Sequence, residues 1–245
     1  MKKLVFITLA LFSFTLSLFA QFPESNFQSS SSQYYWKNRK PYEGYWQQDV
    51  HYKINATLDD KTDIIEATEE LTYYNNSPDE LSFVYFHLYN NAQTKGSYLE
   101  DLYKNNDIKV KFGKYQEQGL GTVVSKITSN DVDLKMELDN TVLKVFLPTP
   151  IKSGESITFK LNFKTYFDNG SIRNRMKMFN AFGYKHYDVV HWYPRISVYD
   201  RKAGWDTDQH MDHEFYGDYG TFDVAFTFPN HYILDATGML LNKKE

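Results

Sequence analysis

Apolar residues recur at every second position in short runs, and this period constrains the chain more than any other feature. Val50, Tyr52, Ile54, Ala56 and Leu58 alternate with His51, Lys53, Asn55 and Thr57, and Asp59-Asp60 ends the run. Ile65, Ala67, Leu71 and Tyr73 mark a second such segment, closed by Asn75-Asn76-Ser77-Pro78. Successive strand side chains point to opposite faces, so each pattern describes a half-buried strand. Leu81–Tyr89 is almost all apolar or aromatic and predicts a strand buried on both faces. Met136 to Leu147 reads as a hairpin turning at Asp139-Asn140. Ser153-Gly154 turns the chain into Ile157, Phe159, Leu161, Phe163 and Thr165. Near the end, Phe222, Val224, Phe226 and Phe228 alternate with Asp223, Ala225 and Thr227 before Pro229-Asn230. Only Ser97–Lys104 suggests a short helix, and no long helical period is present. The expected fold is mostly β: an antiparallel β-sandwich or saddle-shaped twisted sheets, with at most one or two short helices.

Twenty Tyr and 19 Phe against 7 Pro and 12 Gly suit strands. The 245 residues include no Cys, so a fold of this size must rest on its core rather than on disulfides. Met1-Lys2-Lys3, an apolar run from Leu4 to Phe19 and the small Ala20 describe a secretory signal peptide over residues 1–20. Leu18 is larger than the residue usually found three before a cut. The apolar run is shorter than the roughly 20 residues of a spanning helix, so the mature form is expected free of the membrane, periplasmic or extracellular. The net charge is −4, and cleavage near Ala20 would remove Lys2 and Lys3 and make it more negative. That argues against nucleic acid or an anionic membrane as partner, both of which want a basic patch. Residues 21–48 form a leader whose Ser29–Ser32 is linker-like. Its Tyr34, Tyr35, Trp36, Tyr42, Tyr45 and Trp46 suit packing along the domain or gripping sugars.

The chemistry-bearing residues are sparse. Gly170-Ser171 lacks the frame of a nucleophile elbow, and Gly119-Leu120-Gly121 precedes no helix, which leaves neither a triad nor a phosphate cradle. His87 and His191, in aromatic segments, read as hydrogen-bonded core residues rather than bases. Asp206, Asp208, His210, Asp212 and Glu214 recur at alternate positions and would share a face of an extended strand. Three readings of this 206–214 run stand together: a solvated acidic loop, a cation site of oxygen ligands, or a lip of a neighbouring active site. Met211 occupies the position where a calcium loop needs Gly, and His210-x-x-His213 alone is a thin zinc signature. Arg173, Arg175, Lys177 and Lys185 form a basic cluster expected to pair with Asp200, Asp206 or Asp208.

The run from His191 to Gly238 carries a resemblance. "WYPR…YD…GW" at Trp192–Trp205, "EFYGDYGTFDV" at Glu214–Val224 and "PNHY…ATG.L" at Pro229–Leu240 resemble the end of the N-terminal β-domain of aminopeptidase-N-type zinc metallopeptidases, especially their divergent secreted bacterial branch. "LSFVYFHLYNNA" (Leu81–Ala92) and "LPTPIKSGESITFKLNFK" (Leu147–Lys164) fit the same domain in the same order. The resemblance implies a β-domain over 49–245 that shapes one wall of a peptide cleft. Its partners would be the catalytic domain of the same polypeptide and peptide substrates. It also implies zinc in the full-length enzyme, on a downstream HExxH helix, and no cofactor in this chain. Glu245 falls about where that catalytic domain is expected to begin. The nearest string here, His213-Glu214-Phe215-Tyr216-Gly217, has Gly at the second ligand position.

In that family a Gln or Glu of the β-domain, in a motif resembling Q-F-E-P, helps hold the substrate's free amine. His191 matches the Gln position, Tyr193 the Glu and Pro194 the Pro, and a Tyr supplies a hydroxyl and ring face but no carboxylate. The resemblance therefore makes Tyr193, Asp206 and Asp208 the candidate substrate-binding residues, with no catalytic residue and no metal ligand in this chain. A reading from another class is a free-standing secreted β-sandwich module that binds polysaccharide or protein.

Overall fold

The computed structural model describes residues 43–170, 175–211, 213 and 215–242. The expected signal peptide and the leader up to Tyr42 lie outside the described residues, as do Arg173, Asp212 and Glu214. The chain divides into Met1–Tyr45 and Trp46–Glu245, and every strand belongs to the second unit. In chain order these are β1 (Asp49–Asp59), β2 (Ile64–Tyr74), β3 (Leu81–His87), helix α1 (Tyr98–Asn105), β4 (Thr122–Ser129) and β5 (Val132–Asp133). There follow β6 (Met136–Asp139), β7 (Val142–Ile151), β8 (Ser156–Tyr166), and the hairpin β9 (Met176–Ala181) and β10 (Tyr184–Val189). The last are β11 (Arg195–Ile196), β12 (Tyr199–Asp200), β13 (Gly204–Trp205) and β14 (Thr221–Thr227).

The protein is mostly β, as its periodicity requires. A six-stranded sheet runs β14-β1-β2-β8-β4-β5, and a four-stranded sheet runs β11-β3-β7-β6. Their inner faces make one core, in which Ile54, Ile65, Leu71, Phe159 and Leu161 of the large sheet meet Val84, Phe86, Leu143 and Val145 of the small one. Phe86 and Phe159 touch edge to face across the layers at 5.7 Å. Each such side chain taken from water contributes about 1.5–3 kcal/mol. The β1 alternation is realised in full: Val50, Tyr52, Ile54, Ala56 and Leu58 are all buried. The same period turns Glu69 of β2 inward between Ala67 and Leu71, where it is 1 % exposed.

Turn chemistry closes the elements. Asn140, at φ 46°, makes the two-residue link between Asp139 and Val142. Helix α1 starts where Ser97 Oγ accepts from the Glu100 N–H (3.1 Å) and Glu100 reaches back to the Gly96 N–H (2.6 Å), a reciprocal cap. β3 is less covered than its composition suggests: Ser82 is exposed, and Phe83 and Tyr85 are half-buried. Their cover is the Trp205 ring, 5.9 Å from Tyr85, and the Lys144 ammonium, 4.1 Å over Phe83.

β14 is the exception to the antiparallel rule. It runs parallel to β1, with Phe222 beside Tyr52, Val224 beside Ile54 and Phe226 beside Ala56. The irregular stretch before it carries the chain back to the end of the sandwich where β1 begins, which a parallel neighbour requires. Two glycines permit the route. A Cβ on Gly220 would sit 2.9 Å from Val50 Cγ1, and one on Gly217 would sit 2.0 Å from the Arg195 guanidinium.

Candidate functional site

The chemistry-bearing residues gather at one end of the small sheet. His87 ends β3, Tyr89 begins the 3-10 turn Tyr89–Gln93, and the segment 206–216 crosses above them. Gln209 ties that segment to the β6–β7 turn: its Oε1 accepts from the Thr141 N–H (3.0 Å) and Oγ1 (2.7 Å), while its Nε2 donates to the Asp139 carbonyl (2.8 Å). The His210 N–H donates to Thr141 Oγ1 at 3.0 Å, and its buried ring stacks on Phe215 at 4.4 Å. Tyr89 stands at the centre of an aromatic box. It stacks on His87 at 4.9 Å and meets Phe215 edge-on at 4.6 Å, and its hydroxyl faces the Tyr216 carbonyl. Burial raises the Tyr89 phenol well above its usual range.

Beneath the box, Ser197, His87 and Asp206 form a three-residue arrangement. Ser197 Oγ donates to the Asp206 main-chain carbonyl and lies 3.2 Å from His87 Nε2, and Asp206 Oδ2 lies 3.6 Å from the same nitrogen. A hydrolytic triad needs serine and carboxylate on opposite ring nitrogens. Here both sit on Nε2, and the hydroxyl proton is already engaged, so the arrangement cannot activate Ser197. It positions Asp206 instead. Hydrogen bonds from His87 and the Asp208 N–H hold the Asp206 carboxyl below its usual value despite burial, so it stays ionised at neutral pH.

These groups enclose a cavity of about 120 Å³. Asp206, Asp208 and His87 give it acceptors, and Tyr89, Phe215 and Tyr216 give it ring faces, with His210 and His213 completing the lining. The Tyr216 hydroxyl donates to Asp200 Oδ2 at 2.8 Å, which pushes its phenol up to about 12 and fixes one rim. A larger, open depression of about 400 Å³ lies over the outer face of the six-stranded sheet, lined by amides and hydroxyls such as Asn55, Thr68 and Asn162. It is wide, and its charged residues Glu66 and Lys164 neutralise each other in an exposed pair at 3.4 Å, whereas the smaller cavity is narrower and lined by two carboxylates.

Of the three candidate substrate-binding residues, the fold brings Asp206 and Asp208 together in this cavity. Tyr193 is not among its lining residues. Its ring packs edge-on against Tyr52 (5.4 Å) and Phe222 (5.8 Å), and burial pushes its phenol up to about 12. His191, at φ 51°, points its ring at Phe215, 3.6 Å between centroids. Burial, with Arg195 and His210 nearby, lowers its pKa to about 4. The basic cluster pairs differently from expectation. Lys185 donates to Asp63 Oδ1 (2.7 Å) at the β1–β2 turn, and the Lys177 ammonium lies over the Phe179 ring at 5.6 Å. Tyr89, Phe215 and Ser197 were not singled out by sequence, since an aromatic in a strand-rich chain carries no local mark of a cavity wall.

Among the described residues no three His, Asp or Glu side chains converge closely enough to hold a metal ion. His210 and His213 stand with ring centroids 5.5 Å apart, and no described third ligand joins them. Asp212 and Glu214 of the alternating run lie outside the described residues. No described helix is long and apolar enough to cross a membrane.

Solved structures that resemble this fold include M1 zinc metallopeptidases. One, from Deinococcus radiodurans, matches with a TM-score of 0.43 and 18% identity over 75% of this chain and 33% of its own. A mutant of that enzyme bound to a Tyr-Ser-Ala substrate matches with a TM-score of 0.41 and 17% identity, over 75% and 33% of the two chains. A two-domain M1 zinc metallopeptidase mutant bound to L-tryptophan matches with a TM-score of 0.40 and 17% identity, over 76% and 34%. The chain spans about a third of the length of these structures. No family model and no curated protein matches the sequence.

Proposed function

We propose that this chain is the N-terminal, non-catalytic β-domain of an exported zinc-dependent aminopeptidase, where it forms one wall of the peptide cleft. The observation that carries the reading is the state of β14. Its Phe222 and Val224 lie in register with the buried Tyr52 and Ile54, yet are 46% and 50% exposed. The segment beyond it exposes Ile233, Leu234, Met239, Leu240 and Leu241 as well. A core-side strand face and a run of aliphatic side chains left open are the signature of a surface that another domain covers. Of the motif residues, Thr221–Val224 lie on β14 itself and Pro229–Leu240 on the segment beyond it.

In this reading zinc and its hydrolytic chemistry belong to the covering catalytic domain, and no three described His, Asp or Glu side chains of this chain converge on an ion. The contribution of this chain is to bind and orient. Asp206, and Asp208 beside it, would meet the free amine of a peptide, and Tyr193 would set the shape of the wall through its packing on Tyr52 and Phe222. In the complete enzyme, Asp206→Asn or Asp208→Asn should then raise KM about ten- to a hundredfold with kcat nearly unchanged, the scale of a charge-assisted hydrogen bond.

The test is twofold. Purified 245-residue chain is assayed for metal content and for turnover of fluorogenic aminoacyl substrates, and the reading frame is followed past Glu245. No stoichiometric zinc, no turnover and continuation into an HExxH-bearing domain support the proposal. One-to-one zinc with chelator-sensitive turnover overturns it. A native stop codon overturns it in favour of a free-standing binding module.

A further inference from the structure

The cavity end of the domain has a second pole, opposite in sign to Asp206 and Asp208. The base of the β9–β10 hairpin lies beside it: Val189 pairs with Met176, and the Val190 N–H donates to the Arg175 carbonyl at 3.2 Å. Arg175 thus stands across the hairpin from the residue before His191. The His191 ring in turn lies 3.6 Å from Phe215 and 4.9 Å from Tyr89, two walls of the cavity. Arg195 is on the same side, where its Nη2 donates to the Asp218 carbonyl at 3.0 Å, a bond that fixes the group without neutralising it. The low pKa of His191 agrees with this placement, since after burial its causes are Arg195, His210 and Arg175.

Arg175 differs from the other cations of its cluster. Lys185 is paired with Asp63 and Lys177 lies over Phe179, whereas Arg175 is exposed and makes no salt bridge among the described residues. Its expected pairing with Asp200 or Asp206 is not made. Asp200 accepts from the Lys202 and Ala203 N–H groups and the Tyr216 hydroxyl, and Asp206 is held by His87. A guanidinium stays charged at every ordinary pH, and its planar fork matches a carboxylate through two parallel hydrogen bonds.

The aromatic wall separates the two poles. His87, which contacts Asp206, is 4.9 Å from Tyr89 between ring centroids, and Tyr89 is another 4.9 Å from His191. With the reach of Asp206 at one end and of Arg175 at the other, the poles stand on the order of 10–15 Å apart, the span of about three or four extended residues.

We propose that Arg175 binds the terminal carboxylate of a short peptide, about three or four residues long, whose free amine lies at Asp206 and Asp208. This end of the domain then selects zwitterionic oligopeptides over peptides blocked at the carboxyl end. The amine end of the site rests on the cleft-wall function proposed above, and the carboxylate end rests on Arg175.

The experiment is a titration of the full chain with trialanine, followed by the ring signals of Tyr89, His191 and Phe215 in heteronuclear NMR. Trialanine amide, which lacks the carboxylate, and N-acetyl-trialanine, which lacks the ammonium, are run beside it. Saturable shifts are expected for trialanine with a Kd on the order of 1 mM, the range of a small ligand held at two points. Amidation should weaken binding about tenfold, the scale of one charge-assisted hydrogen-bonded partner. Arg175→Gln, at an exposed position, should reproduce that loss for trialanine and leave the affinity for the amide unchanged. Arg175→Lys, which keeps the charge but not the fork, should restore part of it. The amide binding as tightly as the acid, Arg175→Gln binding trialanine unchanged, or no saturation by about 50 mM each overturns the proposal. N-acetylation tells its failure from that of the amine reading. Weakening by acetylation but not by amidation removes Arg175 and keeps the amine at Asp206 and Asp208. Weakening by amidation but not by acetylation keeps the Arg175 site and removes the amine.

Discussion

The Phe222 ring lies flat on the Tyr52 ring, with centroids 4.6 Å apart and planes within 1° of parallel. This stack is the hinge pin of the β1–β14 pairing. Tyr52 is 2% exposed and its hydroxyl accepts from the Ile196 N–H at 3.1 Å, so it is fixed from the core side, while Phe222, beside it on the same face of the sheet, is 46% exposed. One ring of the pair thus belongs to the interior and the other to a surface that is apolar and unfinished.

That surface should make the isolated chain associate. β14 is an edge strand without Pro, without Lys and with Val224 half exposed, the features that invite strand-to-strand pairing. Sedimentation equilibrium should show the apparent mass rising with concentration, and Val224→Lys should return the chain to monomer. Association that Val224→Lys leaves unchanged would place the contact elsewhere.

Acid should loosen the site end of the domain through His191. Its folded pKa is lowered to about 4 by burial, against 6.5 for the free side chain. The unfolded chain therefore binds more protons between these values, and the stability His191 contributes is fully present above the upper one and lost as pH falls toward the lower. Urea unfolding at about pH 7, 5.5 and 4.5 should show decreasing stability, and His191→Asn, which also tolerates the positive φ, should flatten that slope.

Glu69 acts with the opposite sign. Burial, with no partner for either carboxyl oxygen among the described residues, raises its folded pKa well above the usual carboxylate range. Its contribution is most favourable below the unfolded value near 4.5 and is lost as pH rises through the raised folded value. Glu69→Leu keeps the inward face of β2 apolar and should stabilise the domain near neutral pH by about 1–3 kcal/mol. A loss of stability in that variant would mean the carboxyl has a partner in solution.

The β9–β10 hairpin carries a removable strain. Phe182 sits at φ 54° followed by Gly183 at φ 83°, a turn position that suits Asn, and its ring is 97% exposed. Phe182→Asn should raise stability by about 0.5–1 kcal/mol, read as an upward shift in thermal midpoint. An unchanged or lower midpoint would show that the ring has a folded-state contact worth more than the strain.

The strands were legible in the sequence because their signal is local. A period of two over β1 and β8 names the buried residues whatever lies beyond them, and Asp139-Asn140 and Ser153-Gly154 announce their turns through backbone chemistry alone. The Ser97–Lys104 run likewise suggested helix α1, whose cap is made by Ser97 and Glu100 within a single turn. The alternation even named the face on which Glu69 would fall, but not that this face would be sealed, since only the packing of the small sheet against the large one decides how much water remains there.

The cavity depended on distance in sequence. Ser197 and His87 are 110 residues apart, and nothing near either announces the other. Asp206 and Asp208 could be picked out as acidic, yet the lowered pKa of Asp206 and the rings of His87, Tyr89 and Phe215 around the pair arise only when β3, the stretch after β11 and the segment 206–216 meet. The direction of β14 was hidden for the same reason. Its pattern specifies a strand but not a neighbour, and the parallel register on β1 is set by the route that Gly217 and Gly220 allow the chain to take past Arg195 and Val50. Local propensity chose which residues became strands, and burial and close approach between distant segments chose which of them became a site.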